Sequence, residues 1–322
     1  MSQILQIKSW CMLTIDGKQY FEDQILQASF TDKAGFKSDQ LSISLMPNVP
    51  KPNPSSVIKF ELFNDLGQYM NCGLFHVQSI TRGSNKALSF TATGVEFNQK
   101  QKDKKSQHYQ NTKLSSIVSL VAGRLGHEAK FKTEDIDIIS LYQTDETDIQ
   151  FLDRIAKDYD VLFTIKNDIA FFVNKEDESH PVYAVNAEKC MSITVKTSTK
   201  KVYKSCKVEY YDKKLAMWIP QTTSGDQPQL KVKCEAKSEA EALAKGKSKL
   251  AQAQRGTVSG NLETIGQELY AGTRLRLYDT YNHEDDGEYS IETARHTYSR
   301  SSGWVVDVEF ENFKLNDKGK KR

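Results

Sequence analysis

Long apolar runs are missing from this 322-residue chain. No window approaches the roughly 18 consecutive apolar residues of a membrane span, and MSQILQIKSW has neither the basic start nor the apolar run of a secretory signal. The expectation is a protein made and kept in a cytosol, with no membrane insertion of its own. Cysteine is scarce: Cys11, Cys72, Cys190, Cys206 and Cys234 are odd in number, widely spaced and free of any CxxC, which argues against a disulfide framework or a zinc knuckle and for reduced packing residues. An excess of either charge is absent as well. Against 44 basic residues stand 42 acidic ones, so the net +2 supplies no global attraction to nucleic acid or to an anionic membrane. No G-x-S-x-G elbow or Walker sequence occurs, and the six histidines form no HxH or HxxxH pair.

What is present is mostly period-two alternation. DQLSISLM sets Leu41, Ile43 and Leu45 against polar neighbours, VIKFELF puts Ile58, Phe60 and Leu62 on one face, and ALSFTATG follows a Gly-Ser-Asn turn. Four of the seven prolines lie between Pro47 and Pro54, where MPNVPKPNP must be a loop. NQKQKDKKSQHYQN, rich in amides and lysine and without apolar periodicity, reads as an exposed connection.

Two helical patterns follow. Leu114, Ile117, Val118, Val121, Ala122 and Leu125 recur at steps of three and four, with Asn111 or Thr112 available as N-cap and Gly126 as a stop. After the polar TDETD, Ile149, Leu152, Ile155, Ala156 and Tyr159 repeat at the same spacing, and the strands VLFTI and IAFFV come next. From about residue 181 strands return, interrupted by one helix over 238–255, which opens with the capping box Ser238 to Glu241 and carries the pair Glu241 and Lys245.

The expected fold class is therefore mainly β with α+β: two similar antiparallel β-barrels with a small α/β domain between them. Its divisions are a first barrel over 1–97, a linker over 98–110, the α/β domain over 111–176, a second barrel over 177–315 that includes the helix, and a basic tail over 316–322. The likeness between barrels rests on Gly73, Phe75 and Val77 repeating as Gly287, Tyr289 and Ile291, with Phe60 and Leu62 answered by Leu275 and Leu277. This reads as an internal duplication, although short apolar patterns also match by chance. Three copies of a chain with two similar units can close a ring of six near-equivalent units, which would convert threefold into near-sixfold symmetry.

The residues also carry a resemblance. QTDETDIQFLDRIAKDYDVLFTIKNDIAFF resembles a hallmark of the late control gene D family of contractile-tail phages through Gln143, Glu146, Asp148, Phe151, Leu152, Arg154, Ile155, Ala156 and Phe163. It departs from the family pattern at Asp145, Thr147 and Asp160, where Asn, Ser and Gly are usual. YAGTRLRL and DGEYSIETARHTYSRSSGW are similar to the family's glycine-bounded strand and its histidine-containing strand. The resemblance implies a trimeric baseplate hub, tail-tube-like in its barrels and related to the N-terminal part of VgrG spikes. Its implied partners are further copies of itself, a central spike protein, the tail tube protein and other baseplate proteins, and its implied location is the host bacterial cytoplasm during assembly and then the particle baseplate. Because the chain ends at FKLNDKGKKR, the spike is expected to be a separate protein.

No catalytic, cofactor-binding or metal-ligating residue is assigned, and no cofactor is expected. Asp145, Glu146 and Asp148 could ligate a cation, but acids that precede or begin a helix accept its free N–H groups and face its positive end, so they read as caps, with Asp153 and Asp158 as solvated charge. HEDDGE over 283–288 lacks the spaced ligands of a calcium loop and reads as a turn. Two readings from other classes stay open. A cell-wall hydrolase needs a carboxylate pair, which any two acids can form in space. A DNA-binding regulator would use KTSTKKVYKSCK or KGKKR, and no specific nucleic-acid role is expected of either.

Overall fold

The computed structural model describes residues 7–35, 39–54, 56–83, 86–94, 103–166, 169–198, 203–212, 215–223 and 225–313. Strands β1 (Ser9–Ile15), β2 (Lys18–Phe21), β3 (Ile25–Lys33), β4 (Gln40–Leu45), β5 (Val57–Asn64), β6 (Tyr69–Arg82) and β7 (Leu88–Thr93) come first. The middle of the chain runs β8 (Lys104–Lys113), α1 (Leu114–Arg124), β9 (Glu128–Lys132), β10 (Asp137–Thr147), α2 (Asp148–Tyr159), β11 (Val161–Lys166) and β12 (Ile169–Asn174). Then follow β13 (Val182–Asn186), β14 (Ser192–Thr197), β15 (Ser205–Asp212), β16 (Met217–Thr222), β17 (Gln229–Lys233), α3 (Glu239–Gln254), β18 (Val258–Ile265), β19 (Arg274–Tyr278), β20 (Gly287–Ser299) and β21 (Gly303–Asn312). The protein is mainly β, as its alternation implies.

Contacts divide the chain into two units. The first takes the described residues of 1–96 with His180–Val195 and Ser259–Phe310. Its strands form one continuous sheet in the order β14-β18-β21-β20-β3-β4-β7-β6-β5-β1-β2, with β13 and β19 branching from β20. Alternation does what the sequence implies: Leu41, Ile43 and Leu45 of β4 and Ile58, Phe60 and Leu62 of β5 all point into the core. The meanders β5-β6-β7 and β19-β20-β21 share one layout, but Phe75 stands opposite Ile58 and Tyr289 opposite Leu275. Ile58, rather than Phe60, therefore occupies the place of Leu275. The bulge between Lys59 and Glu61 shifts the pairing register by one residue.

The amino- and carboxy-terminal β regions meet where β3 pairs with β20, Phe30 opposite His296. His296 is fully buried there and both its nitrogens are used: Nε2–H donates to the Leu269 carbonyl at 2.9 Å, and Nδ1 accepts from the Trp304 indole at 3.2 Å. The Phe30 ring stacks on the imidazole at 5.8 Å. Trp304 lies so close to Gly266 that a Cβ there would sit 2.2 Å from the indole, so only glycine fits. Asp32, also buried, accepts the Ala271 N–H at 3.0 Å.

The second unit takes the described residues of 97–179 with Lys196–Val258 and those from Glu311 on. It holds a two-stranded ribbon β10-β8 and the three-stranded sheets β11-β12-β9 and β16-β15-β17. Helix α3 covers the last of these, its Ala242 packed with Cys206, Val208 and Tyr210, and a Cβ on Gly246 would lie 2.3 Å from Val208. Ser238 Oγ caps the helix by accepting the Glu241 N–H at 3.2 Å, while the Glu241 carboxylate accepts from Lys237 N–H and pairs with Lys245 at 2.9 Å.

Two features differ from the sequence expectation. The described end of the stretch read as a linker, from Lys104, is strand β8, invisible as such because only Tyr109 of its ten residues is buried. The helix read within the second barrel, together with β15, β16 and β17, falls in the second unit instead, where the helix packs on β15 and also touches α2. The basic tail lies outside the described residues.

The buried imidazole makes stability depend on pH. Burial lowers the His296 pKa to about 4, the Leu269 hydrogen bond and the Asp32 charge opposing only in part. Since the unfolded histidine titrates near ~6.5, the unfolded chain binds more protons between these values, and stability falls as pH drops through that window. About 2 kcal/mol should be lost between pH 7 and pH 5 from this residue alone. Urea unfolding of wild type and His296→Gln at both pH values checks it: the variant is less stable at pH 7 but loses less on acidification, and equal losses contradict the assignment.

Candidate functional site

The acidic stretch at 145–148 is where the sequence invites chemistry, and its geometry is set by the turn from β10 into α2. A bulge between Gln143 and Glu146 puts Asp145 at φ 47°, exposed, with Lys104 at 3.1 Å. The cap of α2 is Thr147 rather than an acid: its Oγ1 accepts the Gln150 N–H at 3.2 Å, and Gln150 Oε1 accepts the Thr147 N–H at 3.0 Å. Glu146 turns back to Arg154, with Nη2 to Oε1 at 2.6 Å, and Arg154 also donates to the Tyr142 carbonyl at 2.7 Å.

Asp148 is 3% exposed and anchors a closed ring of hydrogen bonds. Arg124 of α1 donates to Asp148 Oδ1 at 3.3 Å and to the Tyr109 oxygen at 2.7 Å. Tyr109 donates to Gln143 Oε1 at 3.2 Å, and Gln143 Nε2 returns to Asp148 at 3.0 Å. Lys105 pairs with the other carboxylate oxygen. The ring ties β8, α1, β10 and α2 together, and Tyr109 stacks on Phe151 at 5.4 Å beneath it. Gln143, Glu146, Asp148 and Gln150 of the motif are thus engaged in holding the fold.

The departures from the family pattern have their own partners. Asp160 sits at φ 54°, the left-handed position where glycine costs least, and its carboxylate is buried in an ion pair with Arg255, the residue that ends α3. Helix α1 is capped from afar: Lys113 makes no side-chain cap, and Asp135 instead accepts the Ser115 N–H at 2.9 Å and its hydroxyl at 2.8 Å. Sequence spacing hides both arrangements. The Gly126 stop stands at φ 86° as expected.

The remaining candidates are structural too. In the 283–288 loop Asp286 accepts the Thr280 N–H at 2.9 Å and hydroxyl at 2.7 Å and faces His283 Nδ1 at 2.8 Å. The hydrogen bond with Asp286 raises the His283 pKa, while for Asp286 the hydrogen bonds from Thr280 and His283 outweigh burial and lower it. Burial raises all five thiols, and all five are free. Among the described residues no group of three or more His, Cys, Asp or Glu could hold a metal ion. Of the lysine-rich 196–207 segment, Lys196 and Lys204 are exposed and Lys207 lies 3.7 Å from Glu209.

Surface features of the first unit offer more. Its sheet ends in two strands, β2 and β14, each paired on one side only among the described residues. Beside β2 the outer face carries aromatic rings on β1, β5 and β6: Trp10 stacks on Phe63 at 6.0 Å, and Phe63 meets Tyr69 at a tilt, 5.2 Å between centroids. Phe21, Tyr69 and Leu74 are each about half exposed, at 51, 45 and 57%.

The fold is that of tail proteins. It is similar to the tail protein of Neisseria meningitidis MC58 (TM-score 0.70, 13% identity, 96% of this chain and 98% of that one) and to the 43 kDa tail protein of prophage MuSo2 from Shewanella oneidensis (TM-score 0.66, 12% identity, 94% and 97%). It is also similar to the E. coli c3393 protein, a component of the type VI secretion system (TM-score 0.60, 10% identity, 92% and 76%). The phage tail baseplate hub (GPD) family matches residues 99–302, and the chain belongs to that family. A segment of 154 residues is 27% identical to the "Probable baseplate hub protein" of Escherichia phage 186, spanning 45% of this chain and 40% of that relative's own length. The family is structural rather than enzymatic.

The geometry ranks the acidic residues by their effect on stability. Asp148→Ala leaves Arg124, Lys105 and Gln143 without their shared acceptor and should cost about 3 kcal/mol, reduced from fully buried values by the partial exposure of the two cations. Thr147→Ala should cost about 1 kcal/mol through the lost cap, and Asp145→Ala less than about 0.5 kcal/mol. Urea denaturation of the three variants measures the order; a larger loss at Asp145 than at Asp148 contradicts it.

Proposed function

We propose that this chain is the hub of a contractile tail or tail-like injection particle, a homotrimer that joins the sixfold tail tube to the threefold central spike. It assembles in the host cytoplasm and then resides in the baseplate. The work is geometric. Two similar meanders per chain allow three chains to present six near-equivalent units to the tube, while the opposite, threefold face receives the spike.

The observation that supports this reading is the sheet of the first unit, whose end strands β2 and β14, each paired on one side only among the described residues, fall in the two regions that share the meander layout. Unpaired edges are templates for association, and a heterologous contact between unlike ends closes a ring. The family supplies the baseplate setting, and relatives of this fold include a type VI secretion component and a VgrG in complex with PdpA.

Light scattering on the purified protein, alone and mixed with its spike protein, tests the assembly state. A mass of three chains is expected either alone or on mixing. A stable dimer under both conditions contradicts the reading.

A further inference from the structure

The hydrogen-bonded ring leaves one concavity of the second unit unexplained. A cleft of about 700 Å3 has Ser140 and Tyr142 of β10 in one wall and Val232 and Lys233 of β17 in another, with Arg154 and Lys249 also lining it. That volume lies within the range of pockets that enclose a ligand. Both strands are sheet edges, since among the described residues β10 pairs only with β8 and β17 only with β15. The Cys234 N–H donates to the Glu209 carbonyl of β15, so even-numbered residues here face β15. Backbone groups alternate along a strand, and those of Lys231 and Lys233 therefore turn outward.

Side chains along this edge alternate as well. Leu230 and Val232 pack toward the core under α3, while Lys231 and Lys233 stand on the opposite, exposed face, Lys233 over the Trp218 ring at 5.4 Å. In the cleft Glu146 neutralises Arg154 and Glu241 neutralises Lys245. Among the described residues no ion pair engages Lys231, Lys233, Lys237 or Lys249, and Asp158 and Glu235 offset only part of that charge.

We propose that the open edge of β17 is a docking site for an extended segment of a partner protein, added as a strand, in which acidic residues alternate with apolar ones. Main-chain hydrogen bonds to Lys231 and Lys233 would supply affinity. Cross-strand pairing supplies selectivity: acidic side chains beside the two lysines, apolar ones beside Leu230 and Val232. A basic or uniformly polar strand would meet like charge on one face and leave the other unfilled. The strand β17 lies in a different sheet from β2 and β14.

The test uses the full chain and a dye-labelled peptide of about ten residues alternating valine and glutamate, the length of a typical added strand. Fluorescence anisotropy should show saturable, salt-sensitive binding, and the same peptide with lysine for glutamate should not bind. The double variant Lys231→Glu, Lys233→Glu, both exposed, should weaken binding on the order of tenfold or more by replacing attraction with repulsion. Hydrogen exchange at the Lys231 and Lys233 amides should slow in the presence of the acidic peptide. Equal binding of the two peptides, undiminished binding by the variant, or unchanged exchange at those amides overturns the proposal. So does protection of the same amides that rises with protein concentration alone, which would mean that a second copy occupies the edge.

Discussion

Everything in the first unit depends on the pairing of β3 with β20, which brings strands from opposite ends of the chain into one sheet. Without it each β region would be a smaller sheet with an additional bare edge. The pair is locked from within: Phe30 stacks on His296, His296 is held between the Leu269 carbonyl and the Trp304 indole, and Trp304 fills the space that Gly266 leaves. These are long-range contacts whose loop entropy must be met before they stabilise anything. Burying a neutral imidazole here binds the two regions together and makes the join sensitive to acid.

The second unit relies on a different principle. Its core is divided among small sheets and helices, and charged or polar residues span the joins: the Arg124, Tyr109, Gln143 and Asp148 ring at one place, the Asp160–Arg255 pair at another. Such networks specify one arrangement because each member, left alone, would be costly in a buried setting. The residues that look like chemistry in the sequence are the ones that fix this arrangement, in keeping with a family whose role is structural.

How much of this was legible follows from the range of each interaction. Local periodicity located β4, β5 and both amphipathic helices, and Gly126 and Ser238 marked helix ends, because those features depend on near neighbours. Strand β8 was hidden, since a ribbon exposed on nearly every side has no apolar alternation to display. The capping role expected of the acids fell to Thr147, because a bulge at Asp145 shifts where the helix begins, and the distant cap by Asp135 leaves no trace in spacing. Nor does the histidine-containing strand announce that its imidazole faces a tryptophan eight residues on and a carbonyl from another segment.

In the proposed ring, two meanders of one chain act as near-equivalent units. Electron microscopy of the purified protein, or of its complex with the spike, addresses it directly through the rotational symmetry of end-on views. Three subunits are expected, their β regions repeating six times around the axis, with a threefold modulation from the second units. End-on views with twofold symmetry, or three subunits without sixfold repetition of the β regions, would contradict it.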